Sequence, residues 1–180
     1  MKKMLIVLLF IAGGLQHGFS QDIYYTRNAT LVLNGELDGK ALTLQTGELN
    51  VKLDYETTEI IIRFPVSSLI TDLDNLQTRI EKTNSEVIYE GKLGLEYVNT
   101  ENHPPMQFTT EGWLNINGEK RLIEGTGELH HIGKSNQYAC MLGLNMVLDL
   151  EVLHIHLPIE GLENEFEVVI TQALLQRDKN

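Results

Sequence analysis

Apolar and polar residues alternate along four long segments of the chain, and this two-residue period is the feature that most restricts the fold. In "VIYEGKLGLEYV" the apolar positions are Val87, Tyr89, Leu93, Leu95 and Tyr97. The other three segments repeat the pattern at Met106, Phe108, Leu114 and Ile116; at Leu142, Leu144, Met146, Leu148, Leu150 and Val152; and at Phe166, Val168, Ile170 and Leu174. Each segment predicts a strand with one apolar and one polar face, which favours an antiparallel sheet.

Turn signals separate these segments. Asn117-Gly118 lies between two alternating runs and predicts a tight hairpin, because both residues tolerate the positive φ of a type I′ turn. Weaker signals of the same kind divide the N-terminal third, where strands are expected near 23–33, 41–53 and 59–65; they are Asn34-Gly35, Asp38-Gly39 and Thr46-Gly47.

One segment, "TDLDNLQTRIEK", has a helical period instead. Leu69, Leu73, Leu76 and Ile80 recur at spacings of four, three and four, with Thr71 as the expected N-cap. The sequence therefore predicts an all-β domain of about eight strands with one short helix, which is a sandwich or a barrel.

The first twenty residues are typical of a secretory signal peptide. Lys2 and Lys3 precede an apolar run from Leu5 to Ile11, and small residues at Gly18 and Ser20 suit cleavage before Gln21. The alternative is a membrane anchor, but the run is shorter than the ~20 residues that span a bilayer. We therefore expect a signal peptide at 1–20, a single domain at 21–180, export to the periplasm or medium, and no stable membrane insertion after cleavage.

The charge of the chain limits its possible partners, and its cysteine content limits its disulfide chemistry. Without Lys2 and Lys3 the formal net charge changes from -11 to -13, which argues against nucleic acid and anionic membrane surfaces as partners. Cys140 is the only cysteine and has apolar neighbours, so it predicts a buried, unreactive thiol and no intrachain disulfide.

No residue set in the chain predicts an enzyme or a cofactor. His154 and His156 could chelate zinc or copper with one of His130 and His131, but the apolar positions around them predict that the pair faces outward. The serines at 67 and 68 lack a nucleophile elbow. The glycines of "GTG" at 125–127 lie inside a strand pattern and predict a bulge or a sharply curled strand, and no phosphate loop.

Several segments together resemble the YceI-like family of exported bacterial proteins. "HPPMQFTTEGWLNINGE" is similar to the family's pattern of a proline, a phenylalanine strand and a hairpin that ends in glycine; the matching positions are Pro105, Phe108, Leu114, Ile116 and Gly118. "FPVSSLITDLDNL" is similar to its strand end and short acidic helix, at Ser68, Leu69, Thr71 and Asp72. "LPIEGLENEFEVVITQALL" resembles its closing strand. The family's Asp-x-x-His-Ser opening and its Arg before Asp-Phe-Gly have no counterpart here.

This resemblance implies a lipocalin-like antiparallel β-barrel that binds a polyisoprenoid or another long-chain lipid. The residues expected to line the lumen and bind the ligand are Tyr89, Leu93, Leu95, Tyr97, Phe108, Leu114, Ile116, Leu142, Leu144, Met146 and Leu148. Three alternatives stay open: a barrel filled by its own side chains, a structural or interaction protein of the cell envelope, and a metal-binding barrel that uses His154 and His156. The sequence does not predict the oligomeric state, which lipid is bound, or whether the protein carries, stores or senses that lipid.

Overall fold

A computed structural model describes residues 23–98, 104–133, 138–155 and 159–177. They form eight β-strands, one 3₁₀ turn at Val66–Ser68 and one α-helix, α1, at Asp74–Glu81. The strands are β1 Ile23–Leu37, β2 Lys40–Asp54, β3 Glu59–Pro65, β4 Glu86–Leu93, β5 Met106–Ile116, β6 Glu119–His131, β7 Tyr138–Asp149 and β8 Glu165–Arg177. The signal-peptide prediction for 1–20 lies outside the described residues.

The eight strands close into one barrel. Each pairs antiparallel with its neighbour in sequence, and β8 pairs with β1. Closure leaves no strand with unpaired backbone groups at an open edge, as a sheet of this size otherwise would. The prediction of a single antiparallel barrel of about eight strands with one short helix is confirmed, and a sandwich is excluded.

Two of the predicted turns form and two do not. Asn117 and Gly118 have φ angles of 54° and 84°, so this pair makes the expected type I′-like hairpin between β5 and β6. Asp38-Gly39 does the same between β1 and β2. The turn predictions at Asn34-Gly35 and Thr46-Gly47 were wrong, because β1 and β2 continue through these positions. At Gly35 a Cβ would stand 2.5 Å from the ring of Phe166, so the glycine makes room for that ring.

Bulges in β1 and β8 change which residues face inward. In β1 the register shifts on both sides of Ala29, next to Asn28 with a φ of 62°. In β8 the register shifts where Gln172 has a φ of 55°, so Ala173 and Leu175 are buried and Leu174 is 38 % exposed. The inward prediction for Leu174 was wrong because one inserted residue moves every later side chain to the other face.

The helix is shorter than the sequence pattern indicated. α1 begins at Asp74 with Leu73 as its N-cap residue, and no side chain caps it. The backbone N–H of Thr71 donates to the Gln77 side chain at 2.9 Å, so Thr71 precedes the helix and the N-cap prediction was wrong. Leu76 and Ile80 are buried as expected, whereas Leu73 is 40 % exposed.

The barrel has two halves, an upper and a lower one, that are defined by the connections at its two ends. The upper half ends at the β1–β2 and β5–β6 turns, the segment with α1 and the β7–β8 connection; the lower half holds the chain ends of β1 and β8. The lower half is packed solid. Its members with at most 1 % exposure include Leu49, Val51, Leu53, Tyr55, Leu129, Cys140, Leu142, Ala173 and Leu175. The rings of Tyr24 and Tyr55 stack with centroids 3.9 Å apart.

The lone thiol belongs to this packed half. Cys140 is 0 % exposed, which confirms the buried position predicted for it. Burial raises the pKa of the Cys140 thiol, because an apolar environment disfavours the thiolate. The thiolate is the reactive form of cysteine, so this environment makes Cys140 unreactive.

The glycines at 125 and 127 lie inside a strand, as predicted, but they do not mark a bulge, which was one of the two alternatives. The pairing of β6 with β5 and β7 is continuous through this segment, so the bulge prediction was wrong. A Cβ at Gly127 would overlap the carbonyl oxygen of Gly143 and lie 2.5 Å from the ring of Phe108. The missing side chain lets Phe108 fill the lower half of the barrel.

We expect Gly127→Ala to lower the free energy of unfolding by about 1–3 kcal/mol, the usual cost of forcing extra bulk into a packed core. Gly143→Ala is the matched control on the paired strand, because its Cβ would meet the flexible Glu128 side chain at 3.5 Å and the carbonyl oxygen of Ile170 at 3.9 Å, which are ordinary contact distances. Urea denaturation of the two variants measures the difference. Equal stabilities would show that Phe108 does not fill the space next to Gly127.

Candidate functional site

The upper half of the barrel is hollow. Its cavity has a volume of about 380 Å³, which lies within the range of roughly 300–1,000 Å³ that small-molecule sites occupy. All eight strands contribute inward side chains to it: Leu31, Leu33, Leu42, Leu44, Ile62, Phe64, Val87, Tyr89, Leu114, Ile116, Ile123, Met146, Leu148, Phe166, Val168 and Ile170. No strand residue that lines the cavity carries a charge.

One side of the mouth is covered by the segment that contains α1. Leu76 and Ile80 of α1 line the cavity from above. The segment is attached to β2 by two backbone hydrogen bonds between Gln45 and Ile70, at 2.9 and 2.7 Å, and by a hydroxyl pair between Thr46 and Ser68 at 2.7 Å. These bonds hold the start of the segment, while the helix itself covers the opening through apolar contact.

The β7–β8 connection covers the other side. Ile155, Ile159 and Leu162 line the cavity from this connection. The backbone N–H of Asp38 donates to the carbonyl oxygen of Gly161 at 2.8 Å, which ties the connection to the β1–β2 turn. Arg121 of β6 donates through Nε to the carbonyl oxygen of Leu153. The mouth is therefore framed by two covering segments, each hydrogen-bonded to a neighbouring strand or turn.

The structure divides the eleven predicted lumen residues into three groups. Five line the cavity: Tyr89, Leu114, Ile116, Met146 and Leu148. Four are buried in the barrel but do not line it: Leu93, Phe108, Leu142 and Leu144. Leu95 is half-buried against the core, and Tyr97 is 57 % exposed, so its inward prediction was wrong. β4 ends at Leu93, and the alternation that predicted Leu95 and Tyr97 does not continue as a strand. Ligand binding by any of the eleven stays a prediction.

Most of the residues that line the cavity were not among the eleven predicted from the sequence. The strands near 23–33, 41–53 and 59–65 were expected, but no inward face was assigned to them. The alternation in "TLVLNG" marks Leu31 and Leu33 as a pair on one face, and it could have identified them. The helical spacing marked Leu76 and Ile80 as an apolar face, but only the closed barrel brings α1 and the β7–β8 connection over the mouth.

The deepest polar groups next to the cavity satisfy one another. The Thr110 hydroxyl donates to the carbonyl oxygen of Lys92 at 3.0 Å, so the Tyr89 hydroxyl, 2.7 Å away, donates to Thr110. Burial raises the pKa of Tyr89, which keeps its phenol neutral. The inner wall therefore offers a ligand an apolar surface.

The histidines do not form a metal centre within the part of the chain that the structure describes. His154 is exposed, as its outward prediction requires, and has a φ of 54° in a turn after β7. His156 lies outside the described residues. His130 Nε2 lies 3.0 Å from Glu128 Oε1, and none of the described His, Cys, Asp and Glu side chains gather into a group of three that could hold a metal ion.

Fold and cavity together define the class. A closed eight-stranded antiparallel barrel, hollow and apolar at one end and covered by a short helix, has the architecture of lipocalin-like barrels. Among the described helices, none is long and apolar enough to cross a membrane.

Comparison with known proteins supports this class at the level of fold. The sequence matches no protein-family model and no curated protein. The structure is similar to the solved structure of a polyisoprenoid-binding domain from Saccharophagus degradans, implicated in plant cell wall breakdown. The two share 10 % sequence identity with a TM-score of 0.59, over 88 % of this chain and 99 % of that domain. The predicted resemblance to the YceI-like fold is confirmed.

Proposed function

We propose that the protein is an exported lipid-binding protein, without enzymatic activity, that holds one long-chain isoprenoid or acyl lipid in the upper half of its barrel. The observation that carries this proposal is the apolar cavity of about 380 Å³ inside a closed barrel. An apolar chain gains about 0.8 kcal/mol for each methylene that it buries in such a site. The fold shared with a polyisoprenoid-binding domain supports the same ligand class.

The division of the barrel limits how much of the lipid is enclosed. The side chains of Phe108, Leu129 and Leu142 fill the lower half, so a ligand cannot pass through the barrel. A long chain would bury one end between the strands and leave by the mouth, beneath α1 and the β7–β8 connection. The proposed ligand is therefore a slender molecule that enters end-on.

Export belongs to the same proposal. The order of Lys2 and Lys3, the apolar run and the small residues before Gln21 supports cleavage and release into the periplasm or the medium. An exported carrier would meet lipids of the cell envelope.

Native mass spectrometry of protein purified from the cells that produce it tests both parts. We expect the mass of a chain that begins at or near Gln21, carrying one lipid that organic solvent extracts. A mature chain that is empty, and that takes up no added lipid, would end the carrier proposal and favour a structural or interaction protein. A chain that retains residues 1–20 would instead overturn cleavage.

A further inference from the structure

The polar side chains that line the cavity are gathered on one side of its mouth. Arg79 lies in α1, Thr83 and Ser85 follow the helix, and Asn117 lies in the β5–β6 turn. Val87 pairs with Ile116, so Ser85, two residues before this pair, and Asn117, one residue after it, both lie just beyond the same end of β4 and β5. The opposite side of the mouth, formed by the β7–β8 connection, is lined by apolar residues such as Ile155 and Leu162.

This polar side of the mouth is held in place by the backbone. The backbone N–H of Val66 donates to the carbonyl oxygen of Ser85 at 2.9 Å, which fixes the chain where it enters β4. The Thr83 hydroxyl donates to the carbonyl oxygen of Arg79 at 3.0 Å and so ties the end of α1 to the same segment. The backbone that carries Arg79 and Ser85 is therefore held in place at this side of the mouth.

The polar groups at this side of the mouth can all donate hydrogen bonds. A guanidinium has only donors, and a hydroxyl and an amide can donate, whereas no carboxylate is among the described residues that line the cavity. Arg79 is the one charged side chain in that lining, in a chain whose net charge is -11. A planar guanidinium binds carboxylate and phosphate groups through paired hydrogen bonds.

We propose that the mouth selects amphiphiles with an anionic head group, a carboxylate or a phosphate, which Arg79 binds together with Ser85 and Asn117 while the apolar chain fills the cavity. This inference rests on the proposed lipid-binding function and names the class of lipid. It also gives the ligand one orientation, because the deep wall offers only apolar surface.

Dodecanoate and dodecanol test the inference, since they share a chain and differ in head-group charge at about pH 7.5. We expect dodecanoate to bind the wild-type protein about tenfold more tightly than dodecanol in calorimetric titrations, and Arg79→Gln to remove that preference. Dodecanol affinity should change less than about twofold in Arg79→Gln. Arg79→Lys, which keeps the charge without the planar fork, should restore part of the preference.

Lys82→Gln is the matched control, because Lys82 is exposed at the end of the same helix and does not line the cavity. It should leave both affinities unchanged. Equal binding of the two compounds by wild type and Arg79→Gln would overturn the head-group inference and leave the lipid-binding proposal intact. A loss in Lys82→Gln equal to that in Arg79→Gln would also overturn it, because the effect would then be long-range charge. Failure of both compounds to bind the wild-type protein would count against the cavity proposal itself.

Discussion

Leu114→Trp should abolish lipid binding and leave the barrel folded. Leu114 is 5 % exposed and lines the cavity near the end of β5, between Tyr89 on β4 and Arg121 on β6. An indole at this position can extend into the hollow upper half, where it would occupy the space of the ligand chain. Because the cavity accepts the added volume, we expect the free energy of unfolding to fall by less than about 1 kcal/mol, below the usual cost of overpacking.

The same substitution in the lower half should have the opposite result. Leu142 is 0 % exposed and pairs with Leu129 and Ala173, which are equally buried. An indole there meets packed side chains, so Leu142→Trp should cost about 1–3 kcal/mol or more while the cavity keeps its shape. Val147→Trp is the control for the introduction of a tryptophan as such. Val147 is 60 % exposed on the outer face of β7, between two cavity residues, and its replacement should change neither property.

Lipid content after extraction and urea denaturation curves, measured on the three variants and the wild type, decide the outcome. A barrel whose upper half were filled by its own side chains would give destabilisation by Leu114→Trp and no lipid in the wild-type protein. Loss of lipid from Val147→Trp would place the binding surface outside the barrel and would overturn lipid binding in the cavity.

The fold followed from the sequence because its signals are local. Period-two alternation fixed the inward faces of β5 and β7, and Asn117-Gly118 fixed the turn between β5 and β6. The bulges beside Asn28 and Gln172 could not be read in the same way. A bulge is set by how two neighbouring strands pair, and its only local trace is a single residue that tolerates a positive φ.

The site could be predicted from the sequence less completely than the fold, because the same residue types line the hollow half of the barrel and fill the packed half. Leu114 and Leu142 both stand on predicted apolar faces, and nothing in their own segments distinguishes them. The difference comes from neighbours far along the chain. In the lower half the Phe108 ring and the Tyr24–Tyr55 stack occupy the lumen, whereas in the upper half the space is closed only by α1 and the β7–β8 connection.

The two segments that cover the mouth differ in composition, so the two sides of the mouth are not equivalent. The α1 side carries Arg79 and Ser85, and the β7–β8 side carries isoleucine and leucine. A ligand that enters between them meets donors on one flank and apolar groups on the other. The helix covers the cavity through Leu76 and Ile80, and two backbone hydrogen bonds between Gln45 and Ile70 hold the segment before it.

The stability of the protein should fall steeply above about pH 9, and the cause lies in the lower half. Tyr55 is 1 % exposed and Cys140 is 0 % exposed. Burial, together with the neighbouring Cys140, raises the pKa of Tyr55, and burial raises the pKa of Cys140 as well. In the unfolded chain these groups ionise near their ordinary pKa values, about 8.5 for a thiol and about 10 for a phenol.

The direction of the effect follows from proton binding. Above the ordinary pKa values the unfolded state has lost its protons while the folded state keeps them, so rising pH favours unfolding. The stability that these neutral groups contribute is fully present below about pH 8.5 and is lost as pH rises toward the raised pKa values of the folded state. Each group that stays protonated in the barrel adds a slope of about 1.4 kcal/mol per pH unit.

Urea denaturation between about pH 8 and pH 11, in the presence of a reductant, measures this slope, and the window follows from those ordinary pKa values. Tyr55→Phe should reduce the slope above about pH 10 by about 1.4 kcal/mol per pH unit, and Cys140→Ala should reduce it from about pH 8.5 upward. Tyr97→Phe, which alters a phenol that is 57 % exposed, is the control. If Tyr55→Phe and Tyr97→Phe gave the same slope as the wild type, water would reach the Tyr55 phenol in the folded protein. The lower half would then be an accessible space, and the division into a packed half and a ligand-binding half would be wrong.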